Sequence, residues 1–147
     1  MKSILVQTGR DQFHEIYVIV QAGVLARISP SEITKAGQHQ VLYSRYDDGG
    51  NQGGFAETCF VFTKGGPVRL DFDPVFKAAD GVVPKGKRVW FPMSETDFEL
   101  MEWRVQTNGL DWGKIGCCFG EITVTFQIDS TGRVIVTGAK YRDSSTR

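Results

Sequence analysis

Cys117 and Cys118 stand side by side in KIGCCFGEITVTF, residues 114–126. Adjacent thiols could supply a nucleophile, a metal site or a redox couple. Downstream of them Ile122, Val124, Phe126 and Ile128 alternate with Glu121, Thr123, Thr125 and Gln127, the pattern of a strand with one apolar and one polar face. Continued backwards, the alternation puts Cys118 on the apolar face and Cys117 on the other. Neighbours on a strand point apart, so the pair cannot converge on one metal ion, and a disulfide between them needs a distorted peptide. Cys118 is therefore expected as a buried small apolar residue, and Cys117 as the thiol to test for nucleophilic chemistry. Cys59, between Thr58 and Phe60, reads as a core or edge residue.

The other chemistry-bearing residues are sparse. His14 sits beside Glu15 in FHEIY, and neither it nor His39 belongs to a metal-ligand spacing. Asp71 and Asp73 in LDFDPVF could share a strand face and offer two hard ligands to Ca²⁺ or Mg²⁺. Asp73 before Pro74 reads more simply as a helix N-cap. YDDGGNQGGF lacks the lysine-serine/threonine ending of a phosphate loop, and two aspartates at its entrance would repel phosphate. It reads as a mobile loop able to order over a ligand or partner. No cofactor, metal site or catalytic residue is expected. Recognition falls on TNGLDWGKIG, where Trp112 lies between turn-forming residues and outside any periodic pattern, next to Asp111 and near Lys114. An indole so placed is either a latch on the core or an anchor for a partner or a sugar ring. Asp111, Trp112 and Lys114 are the candidate binding residues.

The elements that must position these residues read mostly as strands. EIYVIV (15–20) and VLARI (24–28) flank a turn at Gln21-Ala22-Gly23. SPSEITKAG predicts a short helix capped by Ser29, with Pro30 and Glu32 in its first turn and Gly37 ending it. VLYSRYDD begins as a strand, FAETCFVFT and PVRLDF form a hairpin about Lys64-Gly65-Gly66, and KRVWF (87–91) is a further strand. SETDFELMEWRVQTNG predicts a second helix, with Ser94 as cap, Asp97 in the capping-box position and Phe98, Met101 and Val105 at helical spacing before Asn108-Gly109. In the last hairpin, a loop Ser130-Thr131-Gly132 with glycine in the left-handed position opposes Asp129 to Arg133, Ile128 to Val134 and Phe126 to Val136. Trp90 and Trp103 lie within periodic segments and are expected in the core.

With 147 residues, 41% of them apolar, the chain suits one domain, 1–147, with a core that needs no staples. Seventeen basic and seventeen acidic residues balance, so electrostatic capture of nucleic acid or of an anionic membrane is not expected. Lys85, Lys87 and Arg88 read as a solvated loop. The first residues, MKSILVQTGR, lack the apolar run of a secretory signal, and no stretch approaches the roughly 18 apolar residues of a membrane span. Three cysteines, an odd number, argue against a disulfide framework and for a cytoplasmic location.

The order of the final third, SETDFELMEW followed by EITVTFQIDSTGRVIVTG within residues 94–138, resembles small bacterial immunity proteins that neutralise polymorphic toxins. The resemblance implies a compact, cytoplasmic, non-catalytic protein that works through a surface. The expected fold is α+β: a mostly antiparallel sheet of about six to eight strands with two or three short helices. The expected function is protein binding, with an immunity-type inhibitor as the specific form. The alternatives are a small-molecule or carbohydrate-binding domain, and a compact enzyme whose site is assembled only in the fold.

Overall fold

The structure, a computed structural model, describes residues 2–9, 12–18, 27–28, 32–47, 55–109 and 120–144. Eleven strands and one helix run through them: β1 (Lys2–Gly9), β2 (Gln12–Val18), β3 (Arg27–Ile28), β4 (Glu32–Ala36), β5 (His39–Asp47), β6 (Phe55–Thr63), β7 (Gly66–Arg69), α1 (Asp73–Val82), β8 (Lys87–Asp97), β9 (Glu102–Gly109), β10 (Gly120–Ile128) and β11 (Val134–Asp143). β1 and β2 form an antiparallel hairpin. Sheet I runs β3-β5-β6-β7, with β4 also paired to β5, and sheet II runs β11-β10-β9-β8. Every pairing is antiparallel. The fold is thus predominantly β with a single described helix, not an α+β domain with two or three.

The last hairpin forms as its alternation requires. Ile128 pairs with Val134 and Phe126 with Val136, Asp129 N donates to the Arg133 carbonyl, and Gly132 takes φ 86°. Between Thr125 and Phe126 the register shifts, because β11 carries one extra residue where Thr125 faces Gly138. The hairpin of β6 and β7 also forms as expected, closed by Lys64-Gly65, with the Thr63 hydroxyl donating to the Gly66 carbonyl.

Both helices expected to flank sheet II and to follow Ser29 are strands instead. Residues 94–109 end β8, turn through 98–101 and return as β9, with Asp97 opposite Glu102 and Thr96 opposite Trp103. Ser94, the expected cap, lies within β8, and Asp97 caps in its place: its Oδ1 accepts from Glu99 N and Leu100 N at 3.0 Å, and what it caps is a hairpin loop that ends on Met101 at φ 54°. A side-chain cap on two successive amides looks alike in a helix start and a turn. The deciding pattern is Trp103, Val105 and Thr107, all buried at every second position. In 29–37 the expected helix would span about two turns, too short to persist without tertiary support. Residues 32–36 pair along β5 instead, and Gly37, at φ 61°, opens a two-residue turn to His39.

β2 pairs with β1 rather than with β3, and β3 pairs with β5, Ile28 facing Tyr46. α1 begins one residue earlier than the Asp73 cap implied: Asp73 lies in the first turn with Pro74, and Asp71 Oδ1 accepts from Asp73 N at 2.9 Å.

One apolar cluster draws on both sheets and the helix. It joins Ala36, Val41, Cys59 and Val61 of sheet I, Val75 and Ala79 of α1, and Trp103, Val105, Ile122, Val124 and Phe126 of sheet II. Phe126 lies at its centre, its ring edge-on to Phe72 at 5.6 Å and to Phe98 at 6.4 Å. Cys59, read as a core or edge residue, is buried in the core, as is Trp103, whereas Trp90 is only half-buried.

Candidate functional site

Sheet II turns one face to the core, and the other is polar and partly exposed, with Thr123 at its middle buried. Its register sets Glu95, Arg104, Thr123 and Lys140 in one row across four strands, and Trp90, Gln106, Glu121 and Arg142 in the next. Strand alternation sends all of these away from the Trp103–Val105–Ile122–Val124 core. Glu95, Lys140 and Arg142 are exposed. Between them, Gln106 Nε2 donates to Glu121 Oε2 at 3.1 Å, and Arg104 Nη2 donates to Asp97 Oδ2 at 3.2 Å. The Arg104 Nε is shielded from water and finds no acceptor among the described residues, so the guanidinium is held by its outer fork. The result is a polar face of mixed charge, with Trp90 on its edge strand.

At one end of this sheet, on its core side, Lys87 makes a polar cluster with Tyr141 and Asp143. Its ammonium donates to the Tyr141 hydroxyl and to Asp143 Oδ2, the latter at 3.1 Å, and lies 4.9 Å from the Tyr141 ring centre. The bond to Tyr141, and behind it the bond to Asp143, hold the Lys87 ammonium above its ordinary value of 10.5 against the opposing effect of burial. A lysine so held stays charged at neutral pH. Gly120 makes the cluster possible, because a Cβ there would meet the Tyr141 ring at 2.6 Å. Lys87 is therefore a half-buried structural cation, not part of a solvated loop.

The same end of sheet II roots the segment 110–119. β9 ends at Gly109 and β10 starts at Gly120, and Thr107, fully buried and paired with Gly120, donates its hydroxyl to the Gly120 carbonyl at 3.1 Å. Asp111, Trp112, Lys114, Cys117 and Cys118 all belong to this segment and lie outside the described residues, as does the glycine-rich 48–54. The candidate binding residues are thus carried between two strands whose ends are paired.

Among the described residues, two of the clefts lie where the elements meet. One of about 440 Å³ lies between the β4–β5 turn and the end of β10, lined by Gln38, His39, Met101, Gln127 and Ser130. His39 Nε2–H donates to the Ile128 carbonyl at 3.1 Å there, tying sheet I to sheet II. The other, about 400 Å³, lies at the start of α1 against Arg69, Asp71 and Phe76. Among the described residues no three His, Cys, Asp or Glu side chains are grouped to hold a metal ion, and no helix is long and apolar enough to cross a membrane. The grouping of Lys87 with Tyr141 and Asp143 leaves no signal in the sequence because the three are distant in the chain, and the role of His39 leaves none because its partner is a backbone carbonyl. No family model, curated protein or solved structure matches the chain.

Proposed function

We propose that this chain is a non-catalytic protein-binding module of the immunity-inhibitor kind, acting in the bacterial cytoplasm. Its binding surface is the polar face of sheet II together with Asp111, Trp112 and Lys114. The observation that carries this reading is the polar face itself: four paired strands hold cations, carboxylates and amides in register, with Glu95, Lys140 and Arg142 exposed. A rigid surface of mixed charge gives specificity and fast association to a complementary protein.

The test is affinity capture from the native cell with the whole chain, then measurement of the captured protein's affinity for variants. Lys140→Glu with Arg142→Glu reverses two exposed charges and is expected to weaken binding about tenfold or more, about 1.4 kcal/mol. Trp112→Ala is expected to weaken it about thirtyfold, about 2 kcal/mol, with the melting temperature little changed. A lower melting temperature with normal affinity would make Trp112 a latch and remove it from the surface. A second reading rests on the 440 Å³ cleft beside His39, whose size suits a small ligand. A small molecule that co-purifies and is lost on Gln127→Ala would replace the first reading.

A further inference from the structure

The cleft beside His39 differs in chemistry between its floor and its rim. Ala36, fully buried, and Ile128, 9% exposed, supply the floor, and the half-buried Met101 adds a thioether. Around them Gly37, Gln38, Gln127 and Ser130 are exposed, so solvent reaches this space of about 440 Å³ between the β4–β5 turn and the end of β10. The backbone fixes these positions. Gly37 turns the chain at φ 61°, and Met101 stands at φ 54°, unfavourable for a residue with a Cβ, its carbonyl accepting from Phe126 N at 3.0 Å. The His39 Nε2–H is engaged by the Ile128 carbonyl, which leaves Nδ1 of the neutral ring as an acceptor.

The lining selects a class of ligand by what it offers. None of its described side chains is a carboxylate, an ammonium or a guanidinium. A charged ligand would therefore leave water without meeting a counter-charge among the described residues. A nucleobase would find no phenyl or indole ring to stack on among them. A wholly apolar ligand would strip water from the carboxamides of Gln38 and Gln127 and the hydroxyl of Ser130 and return no hydrogen bond. None of these three side chains has a hydrogen-bond partner among the described residues. Carboxamides and hydroxyls both donate and accept, as every sugar hydroxyl does, and the C–H face of a sugar ring matches Ala36, Met101 and Ile128. We propose that this cleft binds a neutral sugar. Its volume lies within the roughly 300–1,000 Å³ of small-ligand sites. The inference rests on the reading of this cleft as a small-ligand site and names the ligand's class.

The probes are small molecules titrated into the isotope-labelled whole chain while amide shifts are followed. One set holds neutral hexoses, pentoses, N-acetylhexosamines and their disaccharides. The others are charged sugars (glucuronate and glucosamine), adenine, and cyclohexanol. A neutral sugar is expected to give saturable shifts at Gln38, His39, Met101, Gln127 and Ser130, and the charged sugars to bind about tenfold more weakly or less. Gln38→Ala with Gln127→Ala, at exposed positions, should weaken the neutral sugar about tenfold or more and leave the dispersion of the spectrum unchanged. Saturable shifts at these residues from adenine, cyclohexanol or a charged sugar, with none from the neutral set, would keep the cleft as a small-ligand site and overturn the sugar. No shift there from any probe would overturn both. Sugar binding undiminished in the double variant, or sugar shifts confined to other parts of the chain, would also remove the sugar from this cleft.

Discussion

Phe126 sits where β10 passes beneath the start of α1, with Phe72 and Phe98 set edge-on around it and 1% of its surface exposed. Truncating it leaves a cavity bounded by two rings that cannot both move in, so Phe126→Ala is expected to cost about 3–5 kcal/mol. Its neighbour Thr125 points to the other face, where its hydroxyl donates to the Gly138 carbonyl and accepts from Thr137 at 3.1 Å. Thr125→Ala should cost about 1 kcal/mol or less. Equal losses in urea unfolding would mean that both faces of this strand are covered. Lys87 allows a prediction in pH. Its folded-state value lies above the ordinary 10.5, chiefly through Tyr141. The stabilisation it brings is therefore full below 10.5 and is lost as pH rises through the folded-state value. Tyr141→Phe removes the larger cause, so the stability gap between it and the parent protein should be constant from neutral pH to about pH 10 and narrow above that. A gap that persists unchanged at higher pH would assign the effect of Tyr141 to packing over Gly120.

Among the elements, the hairpin loops are the places where a single residue determines pairing. Asp97 holds the β8–β9 loop through two amides and an ion pair to Arg104. Asp97→Ala is expected to cost about 0.5–2 kcal/mol, as for other lost caps, whereas Asp97→Asn should recover most of it, since the amide oxygen can still accept from both N–H groups. Gly132 in the β10–β11 loop is constrained twice. Its φ of 86° is unfavourable for any residue with a Cβ, and that Cβ would lie 2.8 Å from Val61 Cγ1 and 3.2 Å from Val68 Cβ of sheet I. Gly132→Ala should therefore destabilise by about 1–3 kcal/mol. If the cause is contact between the sheets as well as backbone strain, Val61→Ala introduced with it will recover part of the loss in a double-mutant cycle. Additive losses would leave the backbone as the sole cause. The register of this loop was legible from the sequence because the alternation, the charge pair Asp129–Arg133 and the glycine all specify one pairing. The β8–β9 loop was not, because Phe98, Met101 and Val105 fit a helical spacing and the Asp97 cap serves either outcome.

For the molecule as a whole, the core decides cooperativity. One cluster takes side chains from sheet I, α1 and sheet II, and the His39–Ile128 bond joins the two sheets at their margin. Thermal unfolding is expected as a single transition, coincident by the fluorescence of Trp90, Trp103 and Trp112 and by backbone circular dichroism. Two separated transitions would mean that the sheets melt independently. The sequence alone determined the β-rich character and the β6–β7 and β10–β11 hairpins, because each follows from contacts made within a few residues or from strict alternation. It also placed the candidate recognition residues between the helix-like SETDFELMEW segment and the last hairpin. Only the tertiary structure showed that this flank is itself a β-hairpin rooted beside Lys87, Tyr141 and Asp143. Only tertiary structure decided that residues 32–36 are a strand, since their hydrogen bonds go to β5, and that Phe60 and Phe62 turn outward while Val61 turns in. The physical reason is the same in each case. Period and capping describe what a segment can do by itself, whereas pairing partners, the second face of a sheet and clusters of distant charges exist only once the chain has folded.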